Sequence, residues 1–207
     1  MAIIDSFKPN ATSVEFSWPA ELTGLERIML SARGELQRLL SAFFSHTINI
    51  KTIYEHTSPY THTASPEEPV TQRREVHLLC GGKTACIATS DVTITAPLPE
   101  RLFLDEKFAI GQMFRQMQTP PQFALLDCGV KVEDGKDILW RRYTLSTEGF
   151  VCDITEVFPD RDMFKLCEQW LEERVNAPKA EAENSEHRYA TNAVPSTFNH
   201  LPNYLCL

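Results

Sequence analysis

Leu139-Trp140-Arg141-Arg142-Tyr143-Thr144-Leu145-Ser146-Thr147-Glu148-Gly149-Phe150-Val151-Cys152-Asp153-Ile154-Thr155-Glu156-Val157-Phe158 is the stretch on which the reading of this chain turns. Successive side chains of a strand point to opposite faces, so alternate residues share one. Phe150, Cys152, Ile154, Glu156 and Phe158 fall on one face, and Val151, Asp153, Thr155 and Val157 on the other. Before the Glu148-Gly149 turn, Leu139, Arg141, Tyr143 and Leu145 share a face in the same way. The stretch predicts two strands, Leu139–Ser146 and Phe150–Phe158, each with one charge in an otherwise apolar row.

The same pattern extends outward. Phe123–Cys128 reads as a strand joined to Leu139–Ser146 through Glu133-Asp134-Gly135. Arg73–Cys80 and Ala85–Thr95 flank Gly81-Gly82 and predict a hairpin. Its first strand sets Arg74 in a row with Val76, Leu78 and Cys80. Ile48, Ile50, Thr52 and Tyr54 alternate as a further strand, followed by a Pro-rich loop over 57–70.

Helical periods frame these strands. Thr23-Gly24-Leu25-Glu26 is a capping box, in which side chain and backbone satisfy each other's free groups at a helix start. Leu25, Ile28 and Met29 follow at helical spacing, and Leu36, Leu39, Leu40 and Phe43 resume it. Two helices, or one broken near Ser31-Ala32-Arg33-Gly34, are expected. A helix is expected over 100–118, stopped by Pro120-Pro121, and a last one over about 160–175. Clustered strands with helices at both ends predict an α+β domain, an antiparallel β-sheet packed by helices on one side. The expected division is an irregular N-terminal segment over 1–21, the domain over 22–175, and a flexible tail over 176–207. The tail is Ala-, Glu- and Asn-rich to His187, then carries Phe198, Leu201, Tyr204 and Leu205.

Composition limits function. The net charge is −8, which argues against nucleic-acid and membrane-surface partners, since both call for a basic face. The six cysteines form no C-x-x-C pair and read as free buried thiols. Met1–Ser6 lacks a signal-peptide pattern, and no apolar run suits a membrane span, so a cytoplasmic setting is expected. The six histidines show no metal-ligand spacing, and no P-loop, G-x-G-x-x-G or G-x-S-x-G is present. The expectation is therefore neither metal nor organic cofactor.

What remains is the set of row charges, Arg74, Arg141 and Glu156. A buried charge is costly unless it is paired or binds a ligand. Two readings stay open: an Arg–Glu bridge across the sheet, or two guanidinium groups and a carboxylate facing one cavity that holds an anion. Arginine suits the second, because its planar fork matches a carboxylate.

The residues also carry a family resemblance. Arg74-Glu75-Val76-His77-Leu78-Leu79-Cys80, Ile110-Gly111-Gln112-Met113-Phe114, Leu139-Trp140-Arg141-Arg142-Tyr143 and Thr155-Glu156-Val157-Phe158-Pro159 resemble, in order and spacing, motifs of the chorismate lyase family. The resemblance covers roughly 22–165. It implies an antiparallel sheet with helices and flaps over an internal ligand cavity, and a cofactor-free lyase that cleaves chorismate to 4-hydroxybenzoate and pyruvate. It implies Glu156 and Arg74 as catalytic residues, and Ile110 and Gly111 as substrate-binding residues alongside Arg74. Strand parity adds Arg141 to the binding set. The partner implied is a small anionic ring compound. Two departures stand out: Ser90 and Gln112 occupy positions where the family often carries cations. Alternatives are a cyclase or isomerase of the same fold acting on another ring compound, and a non-catalytic small-molecule-binding protein.

Overall fold

Two three-stranded antiparallel meanders, joined side by side, build the main sheet. The computed structural model describes residues 3–58 and 61–172. The first meander is β3 (Ile48–Thr57), β4 (Val70–Cys80) and β5 (Lys83–Ile94). The second is β6 (Gln122–Glu133), β7 (Lys136–Thr147) and β8 (Phe150–Phe158). β5 pairs with β8 and closes the seam, giving the order β3-β4-β5-β8-β7-β6 with every pairing antiparallel. A separate hairpin precedes them, β1 (Ile4–Lys8) with β2 (Ala11–Glu15). Each edge strand of the main sheet carries a register shift, between Thr52 and Tyr54 in β3 and between Leu125 and Asp127 in β6.

The helices cover one face. α1 (Gly24–Leu30) and α2 (Leu36–Phe44) are separated at the expected point. α3 (Pro97–Glu100) runs into a π-helical turn (Arg101–Asp105), and α4 (Ile110–Gln116) follows. α5 (Met163–Leu166) and α6 (Gln169–Glu172) end the described chain. Leu30, Leu36, Leu40 and Phe44 of the first two helices form one core with Leu78, Ile94, Leu139, Leu145, Phe150 and Phe158 of the sheet. Parity in β8 is as the sequence predicts: Phe150, Cys152, Ile154, Glu156 and Phe158 are buried, while Val151 and Asp153 are exposed.

Local chemistry explains the joints. Thr23 and Glu26 form the capping box: the Glu26 amide donates to Thr23 Oγ1 at 3.3 Å, and the Thr23 amide donates to Glu26 Oε2 at 2.7 Å. Arg161 Nε donates to Glu26 Oε1 at 2.5 Å, tying the segment after β8 to the start of α1. Phe44 stacks on Trp170 at 5.5 Å between ring centroids, which seats α6 against α2.

Four details differ from the sequence expectations. The first twenty residues include the β1–β2 hairpin, whose Phe7 is 74% exposed, so no buried row announces it. The helix expected over 100–118 is interrupted where Lys107 takes a left-handed φ of 59°. The last helix is split at Cys167, with φ 51°. Cys167 is also exposed, while Cys80, Cys86, Cys128 and Cys152 are buried free thiols. The expected tail, with Cys206 and its apolar residues, lies outside the described residues. Among the described residues no helix is long and apolar enough to cross a membrane.

Candidate functional site

Cross-strand register arranges the inner face of the sheet in rows. One row runs Arg74, Ser90, Ile154, Tyr143, Leu125, and the next runs Val76, Ala88, Glu156, Arg141, Cys128. On central strand β5 both rows hold a small residue, Ser90 or Ala88. Large residues fill the neighbouring strands, so space opens above the seam. A cavity of about 390 Å³ occupies it, with Arg74 and Val76 from the first meander and Tyr143, Ile154 and Glu156 from the second. α2 and α4 roof it, through residues that include Leu36, Gln37, Ile110 and Gly111.

Glu156 and Arg141 face each other directly in register. Glu156 is 4% exposed and Arg141 0%. Arg141 Nε donates to Glu156 Oε2 at 2.6 Å. Its Nη1 donates to the carbonyls of Leu30 and Ala32, each at 2.7 Å. These acceptors lie at the end of α1, where helix carbonyls have no partner within the helix. Tyr143 completes the group: its hydroxyl donates to Glu156 Oε1 at 2.8 Å, and its ring lies 4.4 Å from the Arg141 guanidinium carbon. Burial alone would push the Arg141 pKa down, but the Glu156 charge prevails and raises it. Burial and then Glu156 hold the Tyr143 phenol well above its ordinary range. Both donors therefore keep their protons, and Glu156 is a fixed acceptor bordering the cavity.

Arg141 does not line the cavity. The sequence placed it with Arg74 and Glu156 as a binding residue, but its Nε is committed to Glu156 and its Nη1 to the end of α1, while its Nη2 is buried without a hydrogen-bond partner. The Arg–Glu bridge across the sheet is thus the arrangement this pair adopts.

Arg74 is held differently. Its guanidinium carbon lies 4.8 Å from the ring centroid of Phe103, delivered by the π-helical turn. Its Nε is buried and has no hydrogen-bond partner. Burial lowers its pKa, offset in part by Cys152 and Glu55. Glu55 itself is paired with Lys107 at 3.2 Å. An unpartnered donor on a cation at a cavity wall is a site for an anionic acceptor. Cys152 lies near Arg74, yet burial pushes its thiol up to about 12, so it is inert as a nucleophile.

Ile110 and Gly111 form part of the roof. A Cβ at position 111 would strike the carbonyl oxygen of Gly34, which has a φ of 78°. Gly111 is therefore the residue that lets α4 close onto the α1–α2 connection. Sequence parity missed the cavity's other features: the small floor of Ala88 and Ser90, the Tyr143 hydroxyl, and Phe103 over Arg74. The floor had a sequence signal, two small residues on the inner parity of a central strand, and so did Tyr143, which parity puts on the inner face with Arg141; Phe103 over Arg74 had none. Among the described residues no three His, Cys, Asp or Glu side chains gather as metal ligands.

No protein-family model matches the chain, and no curated protein matches it. Among solved structures, the extracellular domain of PknH from Mycobacterium tuberculosis is similar with a TM-score of 0.24 and 10% identity, over 70% of this chain and 96% of that one. A likeness at that level carries no argument about fold or function.

Proposed function

We propose that the protein is a cofactor-free lyase of the chorismate lyase type, taking chorismate to 4-hydroxybenzoate and pyruvate. The observation that carries the reading is the cavity's polarity: an unpartnered arginine on one side, a fixed carboxylate on the other, and apolar walls between. Strands about 4.8 Å apart and a rise of about 3.4 Å per residue separate the Arg74 and Glu156 Cα atoms by about 12 Å. Two long side chains and a six-membered ring fill such a span. In this reading Arg74 holds the ring carboxylate, and Glu156 faces the C4 end.

The reaction breaks the C4–H and C3–O bonds. The C4 proton ends on the methylene carbon of the departing enolpyruvate, and the ring becomes aromatic. In this reading Glu156 takes that proton and returns it to the leaving group. The apolar walls and the roof of α2 and α4 limit the water around the inner ionic contacts, which strengthens them. The four resembling motifs support the same assignment.

The test is incubation with chorismate and assay of both pyruvate and 4-hydroxybenzoate. Glu156→Gln should lower turnover by about 100-fold, the ordinary scale of acid–base catalysis. Ring binding without pyruvate release would move the assignment to a binding or isomerising protein. A folded Glu156→Gln protein at the parent rate would end the catalytic role of Glu156.

A further inference from the structure

Charge inside the cavity is sparse. Among the charged residues that line it, Arg74 is the cation with a buried Nε that lacks a partner, and Glu156 is paired with Arg141 behind it. The interior thus matches one anionic group. Ser90, directly beside Arg74 in register, adds a hydroxyl and no charge. A second anionic group on the same ligand would have no counter-charge there, and an uncompensated charge in such surroundings is costly.

Cations lie instead at the mouth. Arg115, on α4, and Arg38, on α2, both line the cavity and are exposed. Arg115 stands three residues after Gln112, one turn along the same helix face. Among the described residues the Arg115 side chain has no ion pair or hydrogen bond, whereas Arg38 is paired with Glu35 at 3.1 Å.

We propose that Arg115 is a specificity-determining residue, which receives the second carboxylate of a two-carboxylate ring ligand at the mouth while Arg74 holds the first inside. This rests on the lyase reading and deepens it. Chorismate carries a ring carboxylate and a second one on its enolpyruvyl arm. The arm must then point outward, between α2 and α4, with the ring innermost. Pyruvate forms nearest the solvent, and 4-hydroxybenzoate is left behind it.

The experiment compares two unreactive probes by calorimetry. 4-Hydroxybenzoate has one carboxylate. 3-(1-Carboxyvinyloxy)benzoate has both carboxylates of chorismate on an already aromatic ring. Arg115→Gln should weaken the two-carboxylate probe by about three- to fivefold, the scale of an exposed ion pair, and leave 4-hydroxybenzoate unchanged. Arg74→Met should weaken both probes at least tenfold. Raising the salt should weaken the two-carboxylate probe more steeply in the parent than in Arg115→Gln, because screening acts on the exposed contact. Equal losses for both probes in Arg115→Gln, or no loss for either, overturn the proposal, even if chorismate is turned over. A parent protein that binds 4-hydroxybenzoate and rejects the other probe overturns it too. A parent that binds neither probe and leaves chorismate intact removes the lyase reading together with this inference.

Discussion

Replacing Arg141 by Met removes a buried cation and leaves its partners in place. Three losses follow from the geometry. Glu156 is left with only the Tyr143 hydroxyl as donor. The carbonyls of Leu30 and Ala32 lose the guanidinium that reaches both at 2.7 Å. The end of α1 loses its tie to β7. Breaking a buried ion pair from one side costs about 3–5 kcal/mol. A domain of this size loses about 2–4 °C of melting temperature per kcal/mol, so the shift is about 6–20 °C. The companion variant Arg141→Met/Glu156→Leu removes both charges and should recover most of the loss, since a paired substitution by apolar groups is often near neutral. Thermal and urea melts of parent, single and double variants measure this. An Arg141→Met protein melting within about 2 °C of the parent would refute the reasoning, because a buried and unpaired carboxylate cannot be that cheap. A double variant no better than the single would refute the assignment of the cost to Glu156.

Arg74→Met should do the opposite: it removes a guanidinium whose Nε satisfies nothing, so the melting temperature should hold or rise while anion binding is lost, as melts and calorimetry on one preparation will show. Gly111→Ala should destabilise by about 1–3 kcal/mol, although alanine ordinarily stabilises a helix relative to glycine, because the new Cβ strikes the Gly34 carbonyl; a urea midpoint above the parent's would overturn that packing account. Acid stability should depend on Glu26. Burial would raise its pKa, but Arg161 and the capping contacts at Thr23 prevail and lower it from the ordinary 4.5. Its folded pKa lies below the unfolded one, so its contribution is present above about pH 4.5 and fades as pH falls toward the lowered value. Glu26→Gln should therefore lower the urea midpoint at pH 7 and narrow the gap between pH 7 and pH 4, and equal gaps in both proteins would count against it.

Much of the fold was legible because the sheet alternates cleanly on one buried face. The rows containing Arg74 and Glu156 could be read from parity alone. The Arg141–Glu156 pairing was legible in principle as well. With Glu148-Gly149 as a two-residue turn, Thr147 faces Phe150, and each step back along the hairpin leads to Arg141 opposite Glu156. That count favours the bridge over a second ligand-binding arginine. Other features had no local signal. The β1–β2 hairpin exposes Ile4, Phe7 and Val14, so its residues show no inside and outside. The π-helical turn that lays Phe103 on Arg74 depends on a tertiary contact, and helical periodicity runs straight through it. The close approach of Gly111 to Gly34 joins two segments far apart in the chain, which no spacing rule connects.

The seam between β5 and β8 also orders events in time. Each meander can form from neighbouring segments, whereas the β5–β8 pairing must bring together strands separated by the whole run from α3 to β7. Closing so long a loop carries an entropic cost that only the finished pairing recovers. Arg74 belongs to one meander and Glu156 to the other, so the cavity comes into being only when the seam shuts. A ligand spanning Arg74 and Glu156 would therefore find its site only in the finished sheet, and no single meander would offer it.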